Sequence, residues 1–150
     1  GEVSHTLLAR LLADEYFSRP APKSTGLEYF SPDWLAKSLI GNERPQDLQA
    51  TLRELTATGI ATAINEELPK ARAVYLCGGG ARNSALKQAI DVLIPNTKVA
   101  STMELGIDPG WVEACAFAWL ARQRLEEKPG NLPSVTGANR ATVLGALHLP

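Results

Sequence analysis

The tightest constraint sits at residues 71–93. The run ARAVYLC ends on Gly78-Gly79-Gly80, and within three residues Asn83 opens an amphipathic stretch to position 93. β-Branched and apolar residues before the glycines favour an extended segment. Three glycines free the backbone for a sharp reversal that includes φ > 0. Asn83 is a good N-cap, because its side chain can accept from the N–H groups of the next turn. After a Pro95-Asn96 turn, residues 97–101 (TKVAS) form a second extended run. Strand, glycine turn, helix and strand in that order call for a parallel pair with a helical crossover. The expected class is α/β, with a central sheet flanked by helices.

The first half is helical. Residues 4–14 (SHTLLARLLAD) place Leu7, Leu8, Leu11 and Leu12 on one stripe behind a Ser4 cap. Residues 15–30 hold Pro20 and Pro22 and are read as a loop. Ser31-Pro32 starts a short helix that Gly41 ends. Residues 45–68 form the longest amphipathic segment, with Leu48, Leu52, Leu55, Ile60, Ile64 and Leu68 near one face, stopped by Pro69. Gly59 lies inside it, within the small-residue stretch ATGIATA, which predicts close packing against a neighbouring element. Further on, Asp108-Pro109 predicts the cap and first residue of a helix to about position 127, apolar on most sides and so expected to be buried. Residues 131–139 (NLPSVTGAN) read as an ordered loop, and 142–149 (TVLGALHL) as a last strand. No repeat divides the chain, so residues 1–150 are read as one unit with a helix-rich part at 1–70 and a strand–glycine–helix part at 71–150.

Composition removes several function classes. With 15 Lys+Arg against 16 Asp+Glu, the net charge is −1, without the basic face that nucleic-acid binding requires. The two cysteines, Cys77 and Cys115, supply neither a disulfide framework nor a zinc quartet. Set in apolar runs, both are expected to be buried free thiols. The opening GEVSHTLL has no basic segment leading into an apolar one. The apolar run at 111–121 contains Glu113 and is too short for a bilayer. The reading is a soluble, cytoplasmic protein.

Several residues could carry chemistry. Gly78, Gly79, Gly80 and Asn83 frame a turn whose following helix aims N–H groups back at it, which suits an anion or nucleotide. A tight turn without a ligand remains open. A dinucleotide fingerprint fits poorly, because Asn83 occupies the third glycine position and no acid follows at the ribose distance. A Walker A sequence is absent. Glu113 is the lone charge in a segment expected to be buried, so it must be paired, serve as a first-turn partner of Asp108, or contact a polar ligand. Lys23 and Ser24, in KSTG, suit either a phosphate contact or a structural turn. Asn131, Ser134 and Thr136 either line a cleft or brace the helix before them. His5 and His148 lack metal-ligand spacing, and Trp34, Trp111 and Trp119 are read as packing residues.

Taken in order, PKSTGLEYF, VYLCGGGARN, STMELGIDPGWVEACAFAWLA and PGNLPSVTGA resemble the C-terminal part of the anhydro-N-acetylmuramic acid kinase family. The resemblance covers most of residues 20–140. It implies the C-terminal lobe of a two-lobed, actin-like (ribonuclease H-like) ATPase fold with a central mixed sheet. It also implies ATP- and Mg²⁺-dependent phosphorylation of 1,6-anhydro-N-acetylmuramic acid, with water opening the anhydro ring. By that resemblance Gly78, Gly79, Gly80 and Asn83 lie against the nucleotide, with Lys23 and Ser24 as further nucleotide contacts. Glu113 faces the sugar. The family's G-T-S-x-D-G-like phosphate segment and its general-base aspartate have no counterpart here, so no catalytic residue is expected in this chain. Its N-terminal lobe is an expected partner, on the same or a separate polypeptide, and the family also tends to dimerise. The competing reading is a non-catalytic nucleotide-binding regulatory or assembly module.

Overall fold

The structure, a computed structural model, describes residues 1–26 and 28–148. Leu27 of the PKSTGLEYF segment and Leu149 of the expected last strand lie outside the described residues. The helices are α1 (His5–Leu12), α2 (Glu15–Ser18), α3 (Pro32–Ala36), α4 (Pro45–Glu67), α5 (Ser84–Leu93), α6 (Val112–Leu125) and α7 (Pro133–Thr136). The strands are β1 (Ala73–Leu76) and β2 (Lys98–Ser101), with 3₁₀ turns at Gly79–Arg82 and Thr102–Leu105. The α/β class is as expected. The described sheet is two parallel strands, with Ala73 opposite Lys98 and Leu76 opposite Ser101.

Most helix starts follow from their caps. Ser4 Oγ accepts from Leu7 N–H, Ser31 Oγ from Trp34 N–H, and Asn83 Oδ1 from Leu86 N–H at 3.0 Å. Each satisfies one of the N–H groups that a helix start leaves unpaired. α4 opens instead on Pro45 at its first position.

α4 carries both halves of the core. Its N-terminal half meets α1, where Leu55 packs with Leu7 and Leu11. Its C-terminal half presents Ala57 and Ala61 to Ile90 of α5, to Ile94 just after that helix, and to Val99 of β2. The small side chains let α5 come close, so the ATGIATA stretch packs as its composition predicts. Gly59 faces away from that contact. A Cβ there would stand 3.4 Å from the Phe17 ring, so an aromatic side chain rather than a backbone covers it. Thr51 is fully buried yet satisfied: its Oγ1 accepts from Ser4 N–H at 2.9 Å and donates to Asp47 C=O at 2.7 Å.

Several expectations fail for definite reasons. The 15–30 loop contains a turn of helix, α2, because Asp14 caps it before Pro20 can interfere. Residues 142–148 form no strand; Gly145 takes φ +83°, which breaks the extended run. Instead Gly130 N–H donates to Thr142 C=O, and Asn131 accepts from Thr142 N–H and donates to Arg140 C=O. Asn131 therefore braces the segment after α6. The helix expected from position 108 starts at Val112, because Asp108 closes a turn of its own. α6 is not buried: apart from the half-buried Val112 and Leu120, its apolar side chains face solvent, with Trp119 51% exposed and Trp111, just before the helix, 66% exposed. Apolarity on most sides states that a helix needs cover; it does not supply the cover. Both cysteines are exposed for related reasons, Cys77 at the end of β1 and Cys115 on α6. Among the described residues no helix is long and apolar enough to cross a membrane.

Asp14 organises the aromatic corner around α2 and α3. Its Oδ1 accepts from Tyr16 N–H and from the Tyr29 hydroxyl at 2.7 Å, and its Oδ2 accepts from Trp34 Nε1–H at 2.8 Å. Burial pushes the carboxyl pKa up, but the bonds from Trp34, Tyr16 and Tyr29 outweigh it and hold the group below the ordinary carboxylate value. The ionised form is therefore favoured by folding. That contribution is complete above the unfolded pKa of about 4 and is lost as pH falls through the lower folded value. Thermal unfolding followed from pH 7 to 2 is expected to show the midpoint falling below about pH 4. Asp14→Asn should lower stability at pH 7 by about 1–2 kcal/mol and weaken the acid dependence.

Candidate functional site

The glycine turn after β1 is built by two local bonds and one distant one. Ala81 N–H donates to Gly78 C=O, and Asn83 N–H donates to Gly80 C=O at 3.0 Å. Asn83 thus ends the 3₁₀ turn and caps α5 at once. The distant bond runs from Gly78 N–H to Pro109 C=O at 2.8 Å. It fastens the glycine turn to the Asp108–Trp111 turn that leads into α6.

Gly78 has φ +69° and ψ −164°, a region open essentially to glycine alone. Gly79 has no such need. A Cβ at either Gly78 or Gly79 would meet nothing within 4 Å, and one at Gly80 only the Leu86 side chain at 3.8 Å. The outer face of the turn is open, and its first N–H groups have no carbonyl behind them within the turn.

The facing turn is equally specific. Asp108 Oδ1 accepts from Gly110 N–H at 2.7 Å, and Trp111 N–H donates to Asp108 C=O. A Cβ at Gly110 would stand 3.2 Å from Asp108 Oδ1 and 3.5 Å from Arg82 Nη2. The absent side chain leaves room for the Arg82 guanidinium beside the turn. Arg82, Asp108 and Pro109 were not legible as site neighbours. The sequence signal for Arg82 was a cation two residues beyond the glycines.

The expected site residues fall into two groups. Gly78, Gly79, Gly80 and Asn83 form one turn, and Glu113 stands in the first turn of α6, four residues beyond the bonded Pro109. Glu113 is exposed. The argument from an expensive buried carboxylate therefore does not apply to it, and Asp108 does not cap its helix. The N-terminal end of α6 still favours its negative charge.

Lys23 and Ser24 lie elsewhere. Lys23 Nζ donates to the carbonyls of Tyr16 and Phe17 at 3.1 and 3.0 Å and stands 5.2 Å from the Tyr16 ring centre. It borders a largely apolar cavity of about 700 Å³ among α2, α3 and α4, which reaches neither the glycine turn nor Glu113. Ser24 is exposed and lies outside any helix or strand. Thr136 and Ser134 belong to α7, where Thr136 Oγ1 donates to Leu132 C=O; Gly137, just after it, lies against Pro22. Among the described residues no group of three His, Cys, Asp or Glu side chains converges to hold a metal ion.

The geometry predicts opposite responses at adjacent glycines. Gly78→Ala should cost about 1–3 kcal/mol through backbone strain. Gly79→Ala, with ordinary φ and open space, should stay within about 0.5 kcal/mol of the parent. Urea unfolding of the two variants checks this.

The family model described as anhydro-N-acetylmuramic acid kinase matches residues 1–150. A protein of that name from Coxiella burnetii (strain Dugway 5J108-111) is 51% identical over 149 residues, covering 99% of this chain and 40% of the relative. Its namesake from Nitrosomonas europaea is 50% identical over 99% of this chain and 41% of its own length. The Legionella pneumophila (strain Lens) protein is 49% identical over 99% and 40%. The chain thus spans about two fifths of the curated relatives it matches. With the glycine turn, the facing Asp-Pro-Gly turn and α6 all inside the matched region, the chain belongs to the anhydro-N-acetylmuramic acid kinase family.

Proposed function

We propose that this chain is the C-terminal nucleotide- and sugar-binding lobe of an ATP-dependent amino-sugar kinase. The observation that supports it best is the Gly78–Pro109 hydrogen bond, which sets an open glycine turn beside the start of the helix bearing Glu113. In this reading the backbone of Gly78, Gly79 and Gly80 and the N-terminus of α5 behind Asn83 receive the nucleotide. Lys23 retains one N–H beyond its two carbonyls, so it and Ser24 serve only as peripheral contacts when the lobes close. Glu113 accepts from hydroxyls of the sugar.

The substrate is 1,6-anhydro-N-acetylmuramic acid. Water adds its oxygen to C1, the C1–O6 bond breaks, and O6 takes the γ-phosphoryl group. The products are N-acetylmuramic acid 6-phosphate and ADP, a step of cell-wall recycling in the cytoplasm. Positioning and charge stabilisation dominate such a transfer. The described residues offer no cage for Mg²⁺. In this proposal the ion arrives on the nucleotide phosphates, held mainly through them. The base for the water and the phosphate-binding loop belong to the N-terminal lobe, so the chain alone binds without turnover.

Calorimetric titration with Mg·ADP tests the reading. The parent chain should bind, and Gly79→Ala should weaken binding at least about tenfold without loss of stability, since a methyl there keeps a ligand off the backbone. Unchanged affinity in Gly79→Ala would sink the assignment of that turn. In the longer polypeptide, Glu113→Gln should raise KM for the anhydro sugar with little change in nucleotide affinity. Nucleotide binding with no phosphorylation there would favour a regulatory module.

A further inference from the structure

We propose that one side of α6 is the docking surface for the part of the enzyme that this chain does not span, an inference that rests on the two-lobed reading above. Trp111, Cys115, Ala118, Trp119 and Leu125 recur at helical spacing and fall on one side of α6, with Arg122, ion-paired to Glu126, between the last two. All five are exposed, Trp111 by 66% and Leu125 by 69%. Leu120 lies on the opposite side and is itself covered: a Cβ on Gly130 would stand 3.0 Å from Leu120 and 3.4 Å from Leu144. The helix is therefore covered by the chain's own C-terminal segment only around Leu120, and the side bearing Trp111 and Trp119 is left open. α6 forms no substantial packed face with another helix or strand among the described residues.

Two tryptophans on one side of a helix, each more than half exposed, mark a surface that a partner covers. A 14-residue helix is also marginal in water unless a face is packed. The occupant follows from length. The relatives match this chain across 99% of its residues, and about three fifths of each relative lies outside the match. A segment of that size carries a core of its own and can bury this stripe. The stripe begins at Trp111, directly after the turn bonded to Gly78. Docking there would fix the glycine turn and Glu113 relative to the other lobe.

The two exposed thiols make the test internal. Cys115 lies in the stripe, and Cys77 precedes the glycine turn. The chain is joined, in one polypeptide, to the region of the Coxiella burnetii relative that it does not cover, and thiol alkylation rates are compared with those of the 150-residue chain. Cys115 should slow at least about tenfold and Cys77 change less than about twofold. Trp119→Glu should restore Cys115 reactivity in the joined protein while leaving the isolated chain's Tm within about 2 °C. Unprotected Cys115 overturns the proposal. So does protection already present in an isolated chain that sediments as a dimer, because a second copy would then be the occupant. Mg·ATP should further slow Cys77. Protected Cys115 with an unresponsive Cys77 would sink the nucleotide reading and leave the docking surface standing. If the joined polypeptide does not unfold cooperatively, hydrogen exchange on the full-length relative decides. Protection of its α6 segment by at least about a hundredfold over this chain supports docking, and equal exchange overturns it.

Discussion

The packed core of this structure leans on α4. Its leucine-bearing half meets α1, and its alanine-bearing half meets α5 and β2. The two contacts differ in kind. Leu55 interlocks with Leu7 and Leu11, where each buried leucine contributes about 1.5–3 kcal/mol. Ala57 and Ala61 bury little area themselves; they let Ile90 and Ile94 approach the helix axis. A two-stranded parallel sheet is a weak element on its own, since parallel strands normally require cover on both faces. β2 is held because Val99 and Ala100 are buried, and β1 because it pairs with β2. The glycine turn is thus positioned through a chain of contacts that starts at two alanines.

The N-terminal corner shows a different economy. Asp14 gathers a tyrosine hydroxyl, an indole N–H and a backbone N–H around one carboxylate. Around it Tyr16, Phe17, Tyr29, Phe30 and Trp34 pack edge to face or tilted, with ring centres 4.8–5.8 Å apart. Charge-assisted bonds fix ring orientations that packing alone would leave open. Lys23 adds to the same corner by holding the last carbonyls around α2. A lysine that reads as a phosphate ligand in KSTG is, in this structure, first a helix-end partner.

Local rules were legible and long-range ones were not. Ser4, Ser31 and Asn83 announced their helices because capping depends on neighbours within three residues. The crossover between parallel strands was readable from period and glycine placement. Asp108-Pro109 misled because the same letters make a turn when the proline carbonyl is taken by another segment. Gly145 and Cys77 misled because hydrophobic neighbours indicate a preference for burial, not a partner that provides it. The strongest such case is α6: its composition states a demand for cover, and the chain meets that demand only around Leu120.

That difference bears on how the site works. The glycine turn and Glu113 belong to elements with no packed interface between them, and the described bond joining them is Gly78 N–H to Pro109 C=O. A single backbone hydrogen bond contributes about 1 kcal/mol net, so by itself it aligns the two elements without locking them. The donor end follows β1, whose pairing with β2 holds the preceding residues. The acceptor end moves with α6. Whatever covers the open side of α6 therefore sets how the carboxylate of Glu113 stands against the turn. On the proposed reading, affinity at the glycine turn and placement of Glu113 are separable properties, the first built into this chain and the second completed by docking.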